Sequence, residues 1–139
     1  MNAPTSQLVE RLAERLKERG MGVVRRGFLE GVSGIKHFFD LVIEDPESGK
    51  KVAASIVEQL GLRDVIFVLA TRMDTRIPHV VFTSKVEPSV EKLLKNTNIK
   101  IVSLGNVLMI SNARREELEE RILEEISRIL GEEYRAGNS

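Results

Sequence analysis

The sequence predicts an α/β protein with a mixed central sheet flanked by helices. Three observations support this fold class. An apolar stripe at helical spacing lies near the N-terminus, three candidate strands are joined by connections too short for parallel crossovers, and a strand–helix–strand run spans residues 78–104. We expect one domain over residues 1–139, with a core at about 5–104 and a hairpin and helix at about 105–131.

The individual elements are predicted from apolar periodicity and from turn residues. In chain order we expect a helix at about 5–19, strands at 21–30, 35–44 and 51–58, a helix at 61–73, a strand at 78–84, a helix at 87–96, a strand at 99–104, a short strand at 107–110 and a helix at about 113–130. Gly20 and Gly131 should end the first and last helices. Gly27 indicates a bulge or bend in the first strand. Residues 65–68 could instead be a buried strand, because all four are apolar.

The predicted second strand carries the most informative pattern. Its two-residue period places Ile35, His37, Phe39, Leu41 and Ile43 on one face and Lys36, Phe38, Asp40, Val42 and Glu44 on the other. A carboxylate in a half-buried strand is costly without a partner, so Asp40 suggests a metal or catalytic position. His37 lies on the opposite face, which favours a hydrogen-bonded core histidine over a metal ligand.

The composition excludes several classes of site. The 139 residues include no cysteine and two histidines, which excludes disulfides, thiolate zinc sites and all-histidine metal cages. The 21 basic and 21 acidic residues give a formal net charge of zero, whereas a dedicated nucleic-acid binder is usually basic. No apolar run could cross a membrane and the first residues do not resemble a signal peptide, so we expect a cytoplasmic protein without a membrane partner.

The stretch Val32-Ser33-Gly34-Ile35-Lys36-His37-Phe38-Phe39-Asp40 resembles a signature in archaeal members of the PD-(D/E)xK nuclease superfamily, which has the restriction-endonuclease-like fold. In that signature a Ser-Gly turn precedes a strand containing His and Phe-Asp. The order of elements over roughly residues 5–104 also resembles that of archaeal Holliday-junction resolvases and modification-dependent restriction endonucleases. The resemblance implies their mixed-sheet fold, which by itself does not establish their activity.

In active members of this superfamily, an acid on the second strand and an acid-x-Lys on the third hold Mg²⁺, and the lysine helps to activate water. By resemblance, Asp40 matches the first acid and Glu10 matches a glutamate of the first helix, which makes both candidate metal ligands. The third strand reads Lys51-Val52-Ala53-Ala54-Ser55-Ile56-Val57-Glu58 and contains no acid-x-Lys. Lys36, on the predicted face of Asp40, could replace the missing lysine. Candidate catalytic residues are therefore Asp40, Glu10 and Lys36.

Three functional hypotheses follow. The leading one is a nuclease-fold binding module with a degenerate active site, acting on nucleic acid or as an interaction subunit, with no cofactor. The second is an active Mg²⁺-dependent DNA endonuclease with a rearranged site, and the third is a regulatory protein–protein module. Candidate nucleic-acid contacts are Arg25, Arg26, Lys36, Lys50, Lys51 and Arg63. A homodimer could form through Leu123 and Leu130 of the last helix.

Overall fold

The computed structural model describes residues 3–95, 97, 99–105 and 112–133. In chain order its elements are α1 (Ala3–Glu18), β1 (Gly22–Arg25), β2 (Phe28–Glu30), β3 (Lys36–Phe38), β4 (Leu41–Glu44), β5 (Lys51–Leu60), α2 (Leu62–Thr75), β6 (His79–Val86), α3 (Pro88–Leu94), β7 (Ile99–Ser103) and α4 (Asn112–Arg128), which continues into a π-helical turn (Ile129–Glu133). No described helix is long and apolar enough to cross a membrane. The strand predicted at 107–110 lies outside the described residues.

Five strands form one mixed sheet in the order β1-β4-β5-β6-β7. β1, β4 and β5 pair antiparallel, whereas β5, β6 and β7 pair parallel. The parallel strands are connected through α2 and α3, because a parallel pair needs a crossover longer than a hairpin turn. The mixed α/β fold predicted from the sequence is confirmed.

Different helices cover the two faces of this sheet. α1 and α4 pack on the first face, where Leu12, Ile43 and Phe82 are fully buried. α2 and α3 cover the second face, where Val65 of α2 packs with Val81 of β6. Both faces are therefore apolar in the central strands, as expected of strands buried on both sides.

Ion pairs join α1 to α4 outside the first face. Arg11 and Arg15 lie 3.4 Å and 3.7 Å from Glu119, which is 4% exposed, and Arg19 lies 3.1 Å from Glu120. The hydrogen bond from Arg19 lowers the pKa of the Glu120 carboxyl. The buried apolar residues of both helices face the sheet, and these pairs join the two helices beside that core.

Two predictions about α4 are wrong. Leu123 and Leu130 are 0% and 6% exposed and belong to the core, so they are not available for the dimer contact that we predicted. Gly131 does not end the helical segment, because it lies inside the π-helical turn.

The predicted strand at 21–30 is divided into β1 and β2. Arg26 has a φ of 50° and its backbone N–H donates to the carbonyl of Asp40 at 2.8 Å, so the chain turns here. A Cβ atom on Gly27 would lie 2.8 Å from the side chain of Val24, so glycine is required for this bend. The bend predicted at Gly27 is confirmed, but it separates two strands.

The predicted strand at 35–44 is also divided, at Phe39 and Asp40. β3 pairs with β2 in a separate two-stranded ribbon, and β4 pairs with β1 and β5 in the main sheet. Phe39 packs with Val42 on the second face, whereas Leu41 lies in the core of the first. The alternation predicted across the whole segment is therefore wrong, and Lys36 belongs to a different sheet from the strand that follows Asp40.

Candidate functional site

Asp40 immediately precedes β4 and lies beside the middle of β5. The next residue, Leu41, pairs with Ala54, and Oδ2 of Asp40 accepts a hydrogen bond from the backbone N–H of Ile56 at 2.7 Å. β4 does not extend to this level of β5, so the N–H of Ile56 has no strand partner there. The Asp40 carboxylate supplies the acceptor that a buried backbone N–H needs.

The electrostatic environment of Asp40 is unfavourable for a charge. Burial raises the pKa of the Asp40 carboxyl, and the N–H of Ile56 and the positive charge of Arg26 oppose this effect only in part. A carboxylate that binds Mg²⁺ has to be ionised and to present its oxygens to the ion. At Asp40, one oxygen is already committed to the backbone of β5.

The other two predicted catalytic residues have different partners. Glu10 of α1 forms an ion pair with Arg25 of β1, and both side chains are nearly half exposed. The Nζ atom of Lys36 lies 4.8 Å from the ring centroid of Phe28 on the two-stranded ribbon. No described hydrogen bond or ion pair joins either residue to Asp40.

The residues around Asp40 do not fit the Mg²⁺ site that the resemblance implied. Ala54 and Ser55 contribute no carboxylate from β5, and Glu10 is paired with Arg25. Among the residues that the structure describes, no three His, Asp or Glu side chains are grouped closely enough to hold a metal ion. We therefore derive no metal-dependent step from this site.

The six predicted nucleic-acid contacts are not all in one place. Arg25 and Arg26 lie where β1 ends, next to Asp40, and Lys36 lies on the ribbon that follows. Lys51 pairs with Glu44 at the opposite end of β4, and Lys50 lies in the adjoining turn. Arg63, in the first turn of α2, lies beyond the far end of β5.

Asp74 of α2 is the centre of a polar cluster that sequence reasoning missed. Its carboxylate accepts hydrogen bonds from the backbone N–H and the hydroxyl of Ser33, at 2.9 Å and 2.6 Å. Its Oδ2 also lies 2.6 Å from Nε2 of His37, whose Nδ1 is 3.4 Å from Oγ1 of the buried Thr71. The hydrogen bonds from Ser33 and His37 lower the pKa of Asp74 to about 2.

This cluster explains the Ser-Gly…His pattern as a structural feature. The turn at 31–34 is attached to the end of α2 through Asp74, and the backbone N–H of Val32 donates to the Asp74 carbonyl at 3.0 Å. A Cβ atom on Gly31 would lie 1.9 Å from the Asp74 carboxylate, so any other residue here would displace that carboxylate. His37 is part of this attachment and is mostly buried, as the sequence predicted.

Ser55 and His79 form a second pair that the sequence did not predict. Ser55 Oγ lies 2.9 Å from His79 Nε2, across the parallel strands β5 and β6. His79 is 4% exposed, and burial lowers its pKa to about 4. Its Nδ1 has no hydrogen-bond partner among the described residues, so no carboxylate orients the ring as in a catalytic triad.

The ribbon of β2 and β3 exposes two aromatic rings. Leu29 and His37 point inward, where Leu29 packs near Phe39 and His37 binds Asp74. Phe28 and Phe38 point outward, 49% and 66% exposed, with ring centroids 5.8 Å apart. The outward face therefore combines two neighbouring rings with the cross-strand pair of Lys36 and Glu30.

Comparisons with known proteins support the fold but name no activity. An uncharacterized protein of Archaeoglobus fulgidus is 42% identical over 120 residues, which cover 86% of this chain and 92% of that protein. No family model matches the chain. Among solved structures, the crystal structure of AF1548, a protein of unknown function, is similar with a TM-score of 0.54 and 18% identity, covering 70% of this chain and 56% of that one. At this identity the structural similarity shows the fold alone.

Proposed function

We propose that this chain, which belongs to the same family as the uncharacterized Archaeoglobus fulgidus protein, is a nuclease-fold module that binds single-stranded nucleic acid without cutting it. The observation that carries the proposal is the outward face of the β2–β3 ribbon. There Phe28 and Phe38 present two neighbouring rings beside the Lys36 ammonium group. Sequence-independent binders of single strands use such rings for base stacking and basic side chains for the backbone.

The exposure of the two rings favours a nucleic acid with unpaired bases as the ligand. Phe38 is 66% exposed, although removing a phenylalanine ring from water is strongly favourable. A base can stack on such a ring only when it is not stacked inside a duplex, so the ligand is a single strand, a loop or an end. Arg26 lies at the base of the ribbon, between β1 and β2, whereas Arg25 is paired with Glu10 of α1.

The second part of the proposal, that the protein does not cut nucleic acid, rests on the surroundings of Asp40. Its carboxylate accepts the N–H of Ile56, and Ala54, Ser55 and Ile56 occupy the part of β5 where the superfamily resemblance requires an acid and a lysine. Without convergent carboxylates, Mg²⁺ has too few oxygen ligands to be held and to neutralise the charge of the transition state. The chain would thus keep the fold that the resemblance implies without the residues that cut nucleic acid.

Binding is tested by fluorescence anisotropy with a labelled single-stranded oligothymidine and with a duplex of the same length. We expect the single strand to bind more tightly, and Phe38→Ala to weaken it roughly ten-fold, since a stacked base contributes about 1–3 kcal/mol. Leu93→Ala is the control, because Leu93 is 50% exposed on α3, which connects β6 to β7 at the opposite edge of the sheet from β1. Equal losses in the two variants, or no binding at low salt, would contradict the proposal.

Salt dependence and cleavage provide separate tests. Few basic side chains lie beside the ribbon, so the affinity for the single strand should fall only modestly with salt. A plot of the logarithm of the binding constant against the logarithm of the salt concentration should have the slope of about one to three phosphate contacts. Incubation with Mg²⁺ or Mn²⁺ should leave single-stranded, duplex and branched DNA intact. Metal-dependent cleavage that is lost in Asp40→Asn would instead support the active-nuclease hypothesis.

A further inference from the structure

A polar strip separates the two apolar clusters on the second face of the sheet. It consists of Ser55 of β5, His79 of β6 and Arg72 of α2, the helix that covers this face. His79 is paired with Ala53 on one side and with Ile99 on the other, and these two residues belong to different clusters. Polar side chains between apolar clusters need partners, because burying them unpaired is costly.

Arg72 lies on the side of α2 that faces the sheet. It follows Val68 by four residues and Val65 by seven, so the three residues share one side of the helix. Val65 and Val68 are buried and pack with Val81 of β6. His79 precedes Val81 by two residues and therefore faces the same way. Burial lowers the pKa of the His79 imidazole and the positive charge of Arg72 lowers it further, so the two side chains are near each other.

Two buried nitrogen atoms of the polar strip have no partner. Nε of Arg72 and Nδ1 of His79 make no hydrogen bond with any residue that the structure describes. Ser55 Oγ lies 2.9 Å from His79 Nε2. When this hydroxyl donates to Nε2, the proton of the neutral ring lies on Nδ1, so that both unpartnered nitrogens are donors. A buried donor without an acceptor is unfavourable and rare in native proteins.

The positive charge of Arg72 is not balanced either. No carboxylate in the described part of the chain forms an ion pair with Arg72. The Asp74 carboxylate, two residues along the helix, is occupied by Ser33 and His37. Removing a guanidinium group from water without a counter-charge is unfavourable. A negative group beside Arg72 would therefore stabilise the fold.

We propose that Nε of Arg72 and Nδ1 of His79 bind a phosphate group between α2 and the sheet. This site goes beyond the proposed function, since none of its residues belongs to the β2–β3 ribbon. Arginine is especially suited to phosphate, and the tetrahedral oxygens of a phosphate can accept from donors on two different elements. Arg72 and Ser55 are only partly buried, so solvent reaches the edge of the site. A buried water molecule would accept the two donors but would leave the charge of Arg72 unbalanced.

Urea unfolding of the full chain with added inorganic phosphate tests the site, with sodium chloride of equal ionic strength as the reference. A ligand that binds only the folded chain raises the urea midpoint. We expect this rise in the wild type, and we expect Arg72→Gln to weaken phosphate binding at least roughly ten-fold. Arg63→Gln is the matched control, because it removes the same charge from the exposed first turn of α2. An equal rise in all three proteins is the general effect of an excluded salt, and this result or no rise in the wild type would overturn the proposal.

NMR of the His79 imidazole tests the site in the wild type, so the result does not depend on whether Arg72→Gln folds. With phosphate bound, Nδ1 should carry the ring proton, and the Nδ1 resonance should shift as phosphate is added until the site is saturated. A bound ring that carries its proton on Nε2, or a Nδ1 resonance that does not respond to phosphate, would overturn the proposal in favour of a bridging water molecule.

The source of the phosphate group is distinguished with two oligothymidines, one with a terminal phosphate and one without. If the end of a nucleic-acid strand supplies the group, the wild type should bind the phosphorylated strand more tightly, and Arg72→Gln should abolish the difference. If free phosphate is the ligand, both strands should bind equally while inorganic phosphate still raises the urea midpoint. Equal binding of both strands without that rise would overturn the site. Phe38→Ala should weaken both strands alike, so a failure of the ribbon proposal is separate from a failure of this one.

Discussion

Asp74 Oδ2 lies 2.6 Å from Nε2 of His37, and this contact attaches the β2–β3 ribbon to the C-terminal end of α2. The contact has consequences for stability and for the surface that we propose to bind nucleic acid. The ribbon with its outward rings and the turn at 31–34 are held in place by one carboxylate. Changes at Asp74 should therefore affect the ribbon and the turn together.

Replacing Asp74 by Asn should remove part of the acid sensitivity of the fold. The pKa of Asp74 is lowered to about 2 from the ordinary 3.8, so its contribution to stability is present above pH 4 and lost as the pH falls through 2. In Asp74→Asn this loss is absent, so the urea midpoint of the variant should change less between pH 4 and pH 2 than that of the wild type. Ser33→Ala removes the hydroxyl donor and so brings the folded pKa of Asp74 closer to its ordinary value, and the loss of stability in acid should therefore be smaller and end at a higher pH. Identical acid profiles for Asp74→Asn and the wild type would contradict this role.

Replacing Gly31 by Ala should destabilise the fold through Asp74. The added Cβ would lie 1.9 Å from the carboxylate, which must move away from Ser33 and His37. We expect a loss of about 1–3 kcal/mol in urea unfolding. Gly22→Ala is the control, because its Cβ would have nothing nearer than 3.6 Å.

A double-mutant cycle separates this clash from general effects of the Gly31 change. In an Asp74→Ala background the carboxylate is absent, so Gly31→Ala should cost far less than in the wild type. The difference between the two costs measures the coupling of neighbouring residues. Equal costs in both backgrounds would show that Asp74 is not the cause.

Much of the fold could be predicted because each element carries its own local pattern. The apolar spacing of residues 62–73 predicted α2 as a helix, and the short connections predicted the antiparallel part of the sheet. The division of two predicted strands could not be foreseen from local pattern. It depends on hydrogen bonds between distant segments, from Arg26 to Asp40 and from Phe39 to Gly27.

The candidate site was predicted less well, for a related reason. Asp40 accepts a hydrogen bond from the backbone N–H of Ile56, and no sequence motif encodes this contact. Asp74 has its Ser33 partner 41 residues away in the chain. One local signal did exist, because an aspartate in the last turn of a helix opposes the helix dipole and needs a partner elsewhere.

Substitutions at Asp40 should distinguish a structural from a catalytic carboxylate. Asp40→Ala leaves the N–H of Ile56 without its acceptor, and should cost about 1–3 kcal/mol in chemical unfolding. Asp40→Asn keeps an oxygen acceptor and removes a charge that burial disfavours, so it should cost clearly less. Equal destabilisation by both variants would contradict the backbone-capping role.

Acid should destabilise the fold through His79 in a range above that of Asp74. The pKa of His79 is lowered to about 4, whereas an unfolded histidine titrates near 6.5, so only the unfolded chain takes up a proton between these values. Stability is therefore unaffected by His79 above pH 6.5 and falls as the pH decreases towards 4, by up to about 3 kcal/mol. His79→Gln, which cannot be protonated, should flatten this part of the profile while keeping a polar group near Ser55. Ser55→Ala leaves the buried ring in place and should retain the slope. Two results would show that the His79 ring is not buried in its neutral form. One is a wild-type stability profile that is flat between pH 6.5 and 4, and the other is an NMR titration of the His79 imidazole near pH 6.5.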